Sequence, residues 1–432
     1  MSCLFKDIAV LLEDGRILEH ACVGVKDKRI SYVGATLPPE EEWEQTVEGG
    51  GMLLMPGLYN SHGHVPMTLL RGYGEDMPLD RWLNDRIFPF EDKLTGEDVY
   101  WGSLLGIAEM LASGTVSFTD MYYFCDDIVR AVEESGIKAN IGRGTSCFDP
   151  AKKYADLPAY KELLSLLDTV HGRDDGRILV DVAPHSEYTT RPDILRDMAA
   201  VAKSYRVRMQ VHLSETYKEQ MECVGRHGLT PTQVMLETGV LEQPVTLAHC
   251  VWLTDPDMEL IASAPDAVVA HCMKSNLKLG SGIARIANMR EKGIPVAIGT
   301  DSVASNNGLD MLEEMRVAAL VAKGISRNPE AMPANEVLRM GTCVGALSQG
   351  RNDCGVIAVG QRADLVALRL DTTAMIPSHD LLANIVYAAN GSTVALTMVD
   401  GRILYRDGAF LTLDVERVRY EVKRRAREIP AR

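Results

Sequence analysis

At 432 residues the chain exceeds one average domain and can bury a large core, and 46% hydrophobic with 24% charged residues is the balance of a globular protein. A formal charge of -15 argues against nucleic acid as a partner, because no basic patch is available to release phosphate counterions. No apolar run is long enough to span a bilayer, the opening MSCLFKDIAVLLEDG mixes acids and bases unlike a signal peptide, and nine scattered cysteines without a CxxC pair fit a reducing cytoplasm better than a disulfide framework.

Residues 1–55 read as short strands and turns. Asp14-Gly15 is a hairpin signal between IAVLLE and RILEHACVGV, with RISYVGA following. Asp14-Gly15-Arg16-Ile17-Leu18 is echoed by Asp400-Gly401-Arg402-Ile403-Leu404, near the strand-like ADLVALRL. The two termini are therefore expected to join as one small β-sandwich domain, residues 1–55 with 357–432, around an inserted middle at 56–356. Near 416–428 the run VERVRYEVKRRAR reads as a solvated surface helix rather than a membrane or RNA contact.

In that middle, eight apolar strand candidates alternate with helical stretches. They are LLMPGLYNSH, GTVSFTDMY, KANIGRG, ILVDVAPH, MQVHLS, VTLAHC, AVVAHC and PVAIGTD. GSLLGIAEMLASG and DILRDMAAVAKSYR are the clearest helices between them. The pattern predicts an α/β fold, a closed (β/α)8 TIM-type barrel of parallel strands. The connection from Val65 to Thr95, rich in Pro, Gly and aromatics, is a candidate lid over the mouth.

His62, His64, His212 and Asp301 each sit where one of these runs ends. Residues i and i+2 on a strand project to one face, so His62 and His64 can reach one ion. Alone, a His-x-His is weak, and an Asp at a strand end is commonly a turn or cap residue. Jointly the four point to a metal site, since barrel strands converge at their C-terminal ends. Three imidazoles and a carboxylate suit one divalent metal, zinc first and Fe2+ or Mn2+ as alternatives, with a position left for water. Such a site marks a hydrolase. Glu215 follows His212 by three residues; by itself it would be an ordinary solvated helix residue.

The segments PGLYNSHGHVPMTLLRGYGEDMPLDRWL, APHSEYTT, VHLSET, LAHCVWL, HCMKSNLKLGSGI and GTDSVASNNGLDMLEEMR together resemble the amidohydrolase superfamily. Within it the chain is similar to the zinc aminohydrolases that include 5-methylthioadenosine/S-adenosylhomocysteine deaminases. The resemblance implies deamination of an adenine nucleoside to its inosine analogue and ammonia. It makes His62, His64, His212 and Asp301 the metal ligands, Glu215 the proton-shuttling carboxylate and His249 the histidine facing the attacking water, with Asp301 sharing that proton work. Trp82, Glu91, Arg143 and His185, with Glu215, match substrate contacts, Glu91 as acceptor of the ribose hydroxyls. APHSEYTT carries no lysine to bridge a second metal, so one ion is expected.

The chain departs from the pattern in four places. Gly63 stands where threonine is common, the proline usual after Cys272 is missing, and Ser302 replaces a glycine. A second arginine after Arg143 is absent, and only Lys152 and Lys153 stand there. Lysine lacks the bidentate fork that grips a carboxylate, so small or apolar 5′ groups are expected to be accepted at least as well as homocysteine. A guanine, pterin or s-triazine aminohydrolase or dechlorinase would share this metal set, and a non-catalytic assembly relative would be free to lose it. A homo-oligomer is compatible with the fold class.

Overall fold

The computed structural model describes residues 2–39 and 42–432 and has a mixed α/β architecture. Eight parallel strands form two four-stranded sheets. The first holds Leu58–Gly63, Thr115–Tyr122, Lys138–Arg143 and Ile178–Asp181. The second holds Met209–Leu213, Val245–His249, Ala267–His271 and Val296–Ile298. They meet at two seams. At one, Val182 bridges Met209 and the His212 N–H donates to the His185 carbonyl at 3.0 Å. At the other, the Asp301 N–H donates to the His62 carbonyl at 3.0 Å, and the Thr300 N–H to Asn60 Oδ1 at 3.0 Å.

These strands are buried along nearly their whole length, as expected for parallel strands covered by helices. Between the strands and the last helical turns lies a polar network rather than an all-aliphatic filling. Asn140 donates to Asp181 at 3.0 Å, Gln349 to the Asn60 carbonyl at 3.0 Å, and Arg351 to Asn140 Oδ1 at 3.1 Å.

The stretch 53–62, read as one strand, is two. Met52–Pro56 pairs with Leu365–Arg369, whereas Leu58–Gly63 pairs with Thr115–Tyr122. Pro56 has no N–H to extend a ladder, and a side chain at Gly57 would bring its Cβ within 2.3 Å of Val116 Cγ1. The chain thus changes sheets within a single residue, which apolar patterning alone does not reveal.

The chain ends do come together. A nine-stranded sheet places Met52–Pro56 between Ser2–Leu11 and Leu365–Arg369, and the Asp14-Gly15 and Asp400-Gly401 turns join its hairpins. Phe5, Ile8, Val23, Leu54, Leu365 and Met398 fill a core separate from that of the parallel strands. A buried ion cluster ties the parallel strands to the nine-stranded sheet: Lys138 Nζ lies 2.6 Å from Asp364 Oδ1 and 2.6 Å from Asp400 Oδ1, and the Tyr59 hydroxyl donates to Asp364 at 2.8 Å.

The C-terminal helix Val415–Glu428 is less solvated than its composition implies. Val418 and Val422 join the larger core, and Arg425 pairs with fully buried Asp98 at 2.6 Å. The segment 65–95 is not a loop but a string of short helical turns, Val65–Leu70, Leu79–Trp82, Leu83–Ile87 and Phe88–Glu91. Among the described residues no helix is long and apolar enough to cross a membrane.

Candidate active site

His62 and His64 leave the first parallel strand, His212 the fifth, His249 the sixth, and Asp301 follows the eighth. Parallel strands end on one side, so these residues converge although 239 positions separate His62 from Asp301 (301 − 62 = 239). Asp301 and His249 take left-handed backbone conformations, φ 58° and 71°, which non-glycine residues adopt only under constraint. Gly299 permits the closure, because a Cβ there would meet the His62 backbone nitrogen at 3.0 Å. Gly63 has no such duty: its nearest neighbours would be 3.6 Å away, so the departure from threonine leaves the ligand geometry alone.

His64 Nδ1 donates to the Met121 carbonyl at 2.6 Å and His212 Nδ1 to the His185 carbonyl at 2.7 Å. A carbonyl can only accept, so each Nδ1 carries a proton and each Nε2 aims a lone pair inward. Those two Nε2 atoms stand 3.3 Å apart, and Asp301 Oδ1 is 3.3 Å from that of His64. His62 Nε2, 3.8 Å from the same oxygen, is buried with no hydrogen-bond partner. A proton between the first pair would still leave His62 Nε2 without a partner, whereas a cation would engage all three. The ligand atoms of His62, His64 and Asp301 lie within 4.8 Å of one another, as do those of His62, His212 and His249. The residues therefore fit a divalent metal.

Electrostatics agree with that fit at His62, His212 and Asp301. Burial lowers His64, but the Asp301 carboxylate outweighs it and raises the imidazole to about 9, a proton that a bound cation would displace. Burial holds the His62 and His212 imidazoles well below their ordinary range, hence neutral and able to donate lone pairs. Burial alone would push Asp301 up, but the His64 hydrogen bond and neighbouring imidazoles hold it well below the carboxylate range. Its Oδ2 accepts from Ser275 at 2.6 Å and Ser305 at 3.1 Å, and its Oδ1 from the Ser302 N–H at 2.7 Å. Ser302 also caps the turn Val303–Asn306, a role glycine would not fill.

Glu215 lies on the wall of the same cleft, whose space of about 640 Å3 includes its open, solvent-filled mouth. Burial raises its carboxyl, and Ser281 donates to Oε1 at 3.3 Å. His249 Nε2 stands 3.9 Å from Glu215 Oε2, its Nδ1 tied to Asn276 Oδ1 at 2.8 Å. Trp82, Glu91 and His185 line the cavity too. Burial pushes Glu91 up to about 7 and His185 down to about 4. His185 also positions a ligand, since its carbonyl receives the His212 proton.

Arg143 is not brought to this wall. Its Nε donates to Glu162, its Nη1 to the Gly144 carbonyl, and its guanidinium lies over the Tyr123 ring at 5.1 Å. Lys152 and Lys153 are exposed and line neither cavity. An adjoining chamber of about 1230 Å3 shares Leu79, Phe88, Tyr188 and Leu279 with the first and adds Phe148, Tyr217 and Trp252. Lys218 is the one cation among the described residues that line it, and it is paired with Asp80 at 3.0 Å.

Sequence reasoning did not pick out Ser275, Asn276, Ser281 or Glu219. The first three lie in HCMKSNLKLGSGI, whose polar residues are the only signal there. Glu219 gave none beyond its place in the first turn of a helix.

The chain matches the amidohydrolase family over residues 53–404. It is 40% identical over 428 residues to a 5-methylthioadenosine/S-adenosylhomocysteine deaminase of Desulforamulus reducens, covering 98% of each chain. A 5′-deoxyadenosine deaminase of Methanothermobacter thermautotrophicus is 41% identical over 405 residues, 94% of this chain and 93% of that one. Among solved structures, an adenosine deaminase from Xanthomonas campestris with bound zinc superposes with a TM-score of 0.94 at 31% identity, covering 100% of this chain and 99% of that one.

Proposed function

We propose the following reaction on the premise that this chain belongs to the amidohydrolase family: it hydrolyses the exocyclic amine of adenine nucleosides, giving the inosine analogue and ammonia. The observation that carries the chemistry is one cavity lined by His64, His212, His249, Asp301 and Glu215, with His62 within ligand distance of His64 and Asp301. His62, His64, His212 and Asp301 would hold a divalent metal, zinc by its donor set with Fe2+ or Mn2+ as alternatives. When bound, it would supply hydroxide at neutral pH by lowering the pKa of a water.

The side chains do the rest. Glu215 takes the proton released by the attacking water and passes it to the purine nitrogen beside C6, making C6 electrophilic. Oxygen adds to C6; the C6–N bond then breaks, and the amine leaves with the second proton of that water. His249 Nε2 and Asp301 orient the water and hand on that proton. Raised by burial, the Glu215 carboxyl is suited to hold a proton briefly. The supporting fold is proposed as a (β/α)8 barrel at 56–356 and a small β-sandwich domain from 1–55 and 357–432. A cytoplasmic setting without nucleic-acid or membrane partners, and self-association, belong to the same reading.

Glu91, on the cavity wall, is read as the acceptor of the ribose hydroxyls. Charge-assisted hydrogen bonds of this kind contribute about 1.5–3 kcal/mol, so adenosine should outperform adenine by roughly tenfold or more in kcat/KM. Glu91→Ala should erase most of that ratio with metal content unchanged. The preference should also weaken on acidification through about 7, where the carboxylate takes up a proton. An unaltered ratio in the variant would remove Glu91 from ribose recognition.

Trp82 and His185 are read as walls for the purine. The 5′ substituent is read as entering the adjoining chamber, where Phe148, Tyr217 and Trp252 favour apolar groups and Arg143 is already engaged. An ammonia assay on adenosine, 5′-deoxyadenosine, 5′-methylthioadenosine, S-adenosylhomocysteine, guanine and a triazine tests both reaction and tail. The small apolar nucleosides should match or exceed S-adenosylhomocysteine, each buried methylene adding roughly fourfold to kcat/KM. Ammonia from guanine or triazine alone would overturn the reaction. A strong S-adenosylhomocysteine preference, lost in Lys152→Ala/Lys153→Ala, would overturn the tail.

A further inference from the structure

Glu219 stands in the first turn of the helix Tyr217–His227, three residues past its cap Thr216. An acid at that position commonly reaches back to the N–H of the cap residue. Here the carboxylate passes the cap by. Oε1 accepts the Ser214 N–H at 2.8 Å and Oε2 accepts the Glu215 N–H at 2.7 Å. Glu219 is 4% exposed, so both bonds form away from water.

The segment it holds needs holding. Ser214 has φ 47°, a left-handed conformation that its Cβ disfavours. Its hydroxyl donates to Gln220 Oε1 at 3.0 Å, and its carbonyl accepts the Trp252 N–H at 2.9 Å. The helix start does not require this carboxylate, because Thr216 Oγ1 already accepts the Glu219 N–H at 3.1 Å. Burying a second carboxylate beside Glu215 carries a repulsive cost. That cost is understandable if the backbone position of Glu215 matters to the reaction.

We propose that Glu219 is the positioning residue that sets the Glu215 carboxylate against the purine, acting through these two backbone amides. It rests on the reading of Glu215 as proton carrier. Misplacing a reacting group by about 1 Å costs roughly 100-fold in rate. Glu219→Gln keeps the volume and one acceptor but turns an NH2 against the other N–H.

With 5′-methylthioadenosine as substrate, kcat of Glu219→Gln should fall about 10- to 100-fold, and Glu219→Ala should lose more. KM should change less than kcat, since Glu219 borders the chamber read as taking the 5′ group but not the cavity read as taking the purine. Metal content by elemental analysis should equal that of the parent protein. Amide hydrogen exchange should quicken in the peptide 213–217 and nowhere else. A parental kcat in Glu219→Gln overturns the proposal. So does a loss of turnover that tracks lost metal, or exchange quickened throughout the chain, because Glu219 would then merely support the fold. Glu215→Gln run in parallel separates the two readings. If that variant keeps its turnover, the proton-carrier assignment fails, whatever Glu219 does. If it is inactive while Glu219→Gln is normal, only the role of Glu219 falls.

Discussion

His212→Ala is expected to yield a folded protein without its metal and without deaminase activity. His212 Nε2 sits 3.3 Å from His64 Nε2, and its ring is fixed by the Nδ1 bond to the His185 carbonyl. Truncation removes one of four donors and leaves a polar gap that water will fill. The remaining donors, His62, His64 and Asp301, would form an incomplete ligand set for the ion. Neutral-pH hydroxide depends on lowering a water pKa from about 15.7 to about 7, so turnover should drop by about three orders of magnitude or more. Elemental analysis should read near zero in the variant against one ion per chain in the parent. The midpoint of thermal unfolding should fall too, because a ligand that binds only the native state stabilises it. Full metal content with normal turnover would refute the four-donor assignment.

Glu215→Gln should separate metal binding from chemistry. The amide matches the carboxylate in size, can keep the Ser281 contact, and leaves the Glu215 backbone N–H on Glu219 undisturbed. It cannot carry a proton from water to the purine. General acid–base transfer of this kind contributes about 10²–10⁴-fold, so kcat should fall by that factor with metal content and nucleoside binding retained. Retained turnover would remove Glu215 from the reaction.

Much of the framework is legible along the chain. Alternating apolar strands and helices announce the parallel strands, and five of the eight predicted runs start and stop within a residue or two of the observed strands, while PVAIGTD runs three residues past the end of Val296–Ile298. The exceptions have local causes. Leu53–His62 is cut at Pro56-Gly57, where the missing N–H and the contact with Val116 force a change of sheet. Ile178–Asp181 stops short of His185 because the chain there crosses the seam toward Met209. Segment 65–95, read as a loop, folds into helical turns, since Trp82, Ile87 and Phe90 find a core to enter.

Residue chemistry and strand position were enough to single out His62, His64, His212 and Asp301, because ligand type and the two-residue strand repeat are local properties. Engagement of long side chains is not local. Arg143 ends a strand at the mouth, yet Glu162 and the Tyr123 ring hold its guanidinium. The basic helix 415–428 reads as solvated until Asp98, more than three hundred residues earlier, receives Arg425. Glu219 looks like any acid in a first helical turn until the left-handed Ser214 turns two amides toward it. What the sequence by itself determined were most of the elements and the candidate donors, which follow from backbone sterics, burial and side-chain chemistry within a few residues. Only the tertiary structure decided which groups face the cavity and which are spent on one another, because that depends on distances between segments hundreds of residues apart.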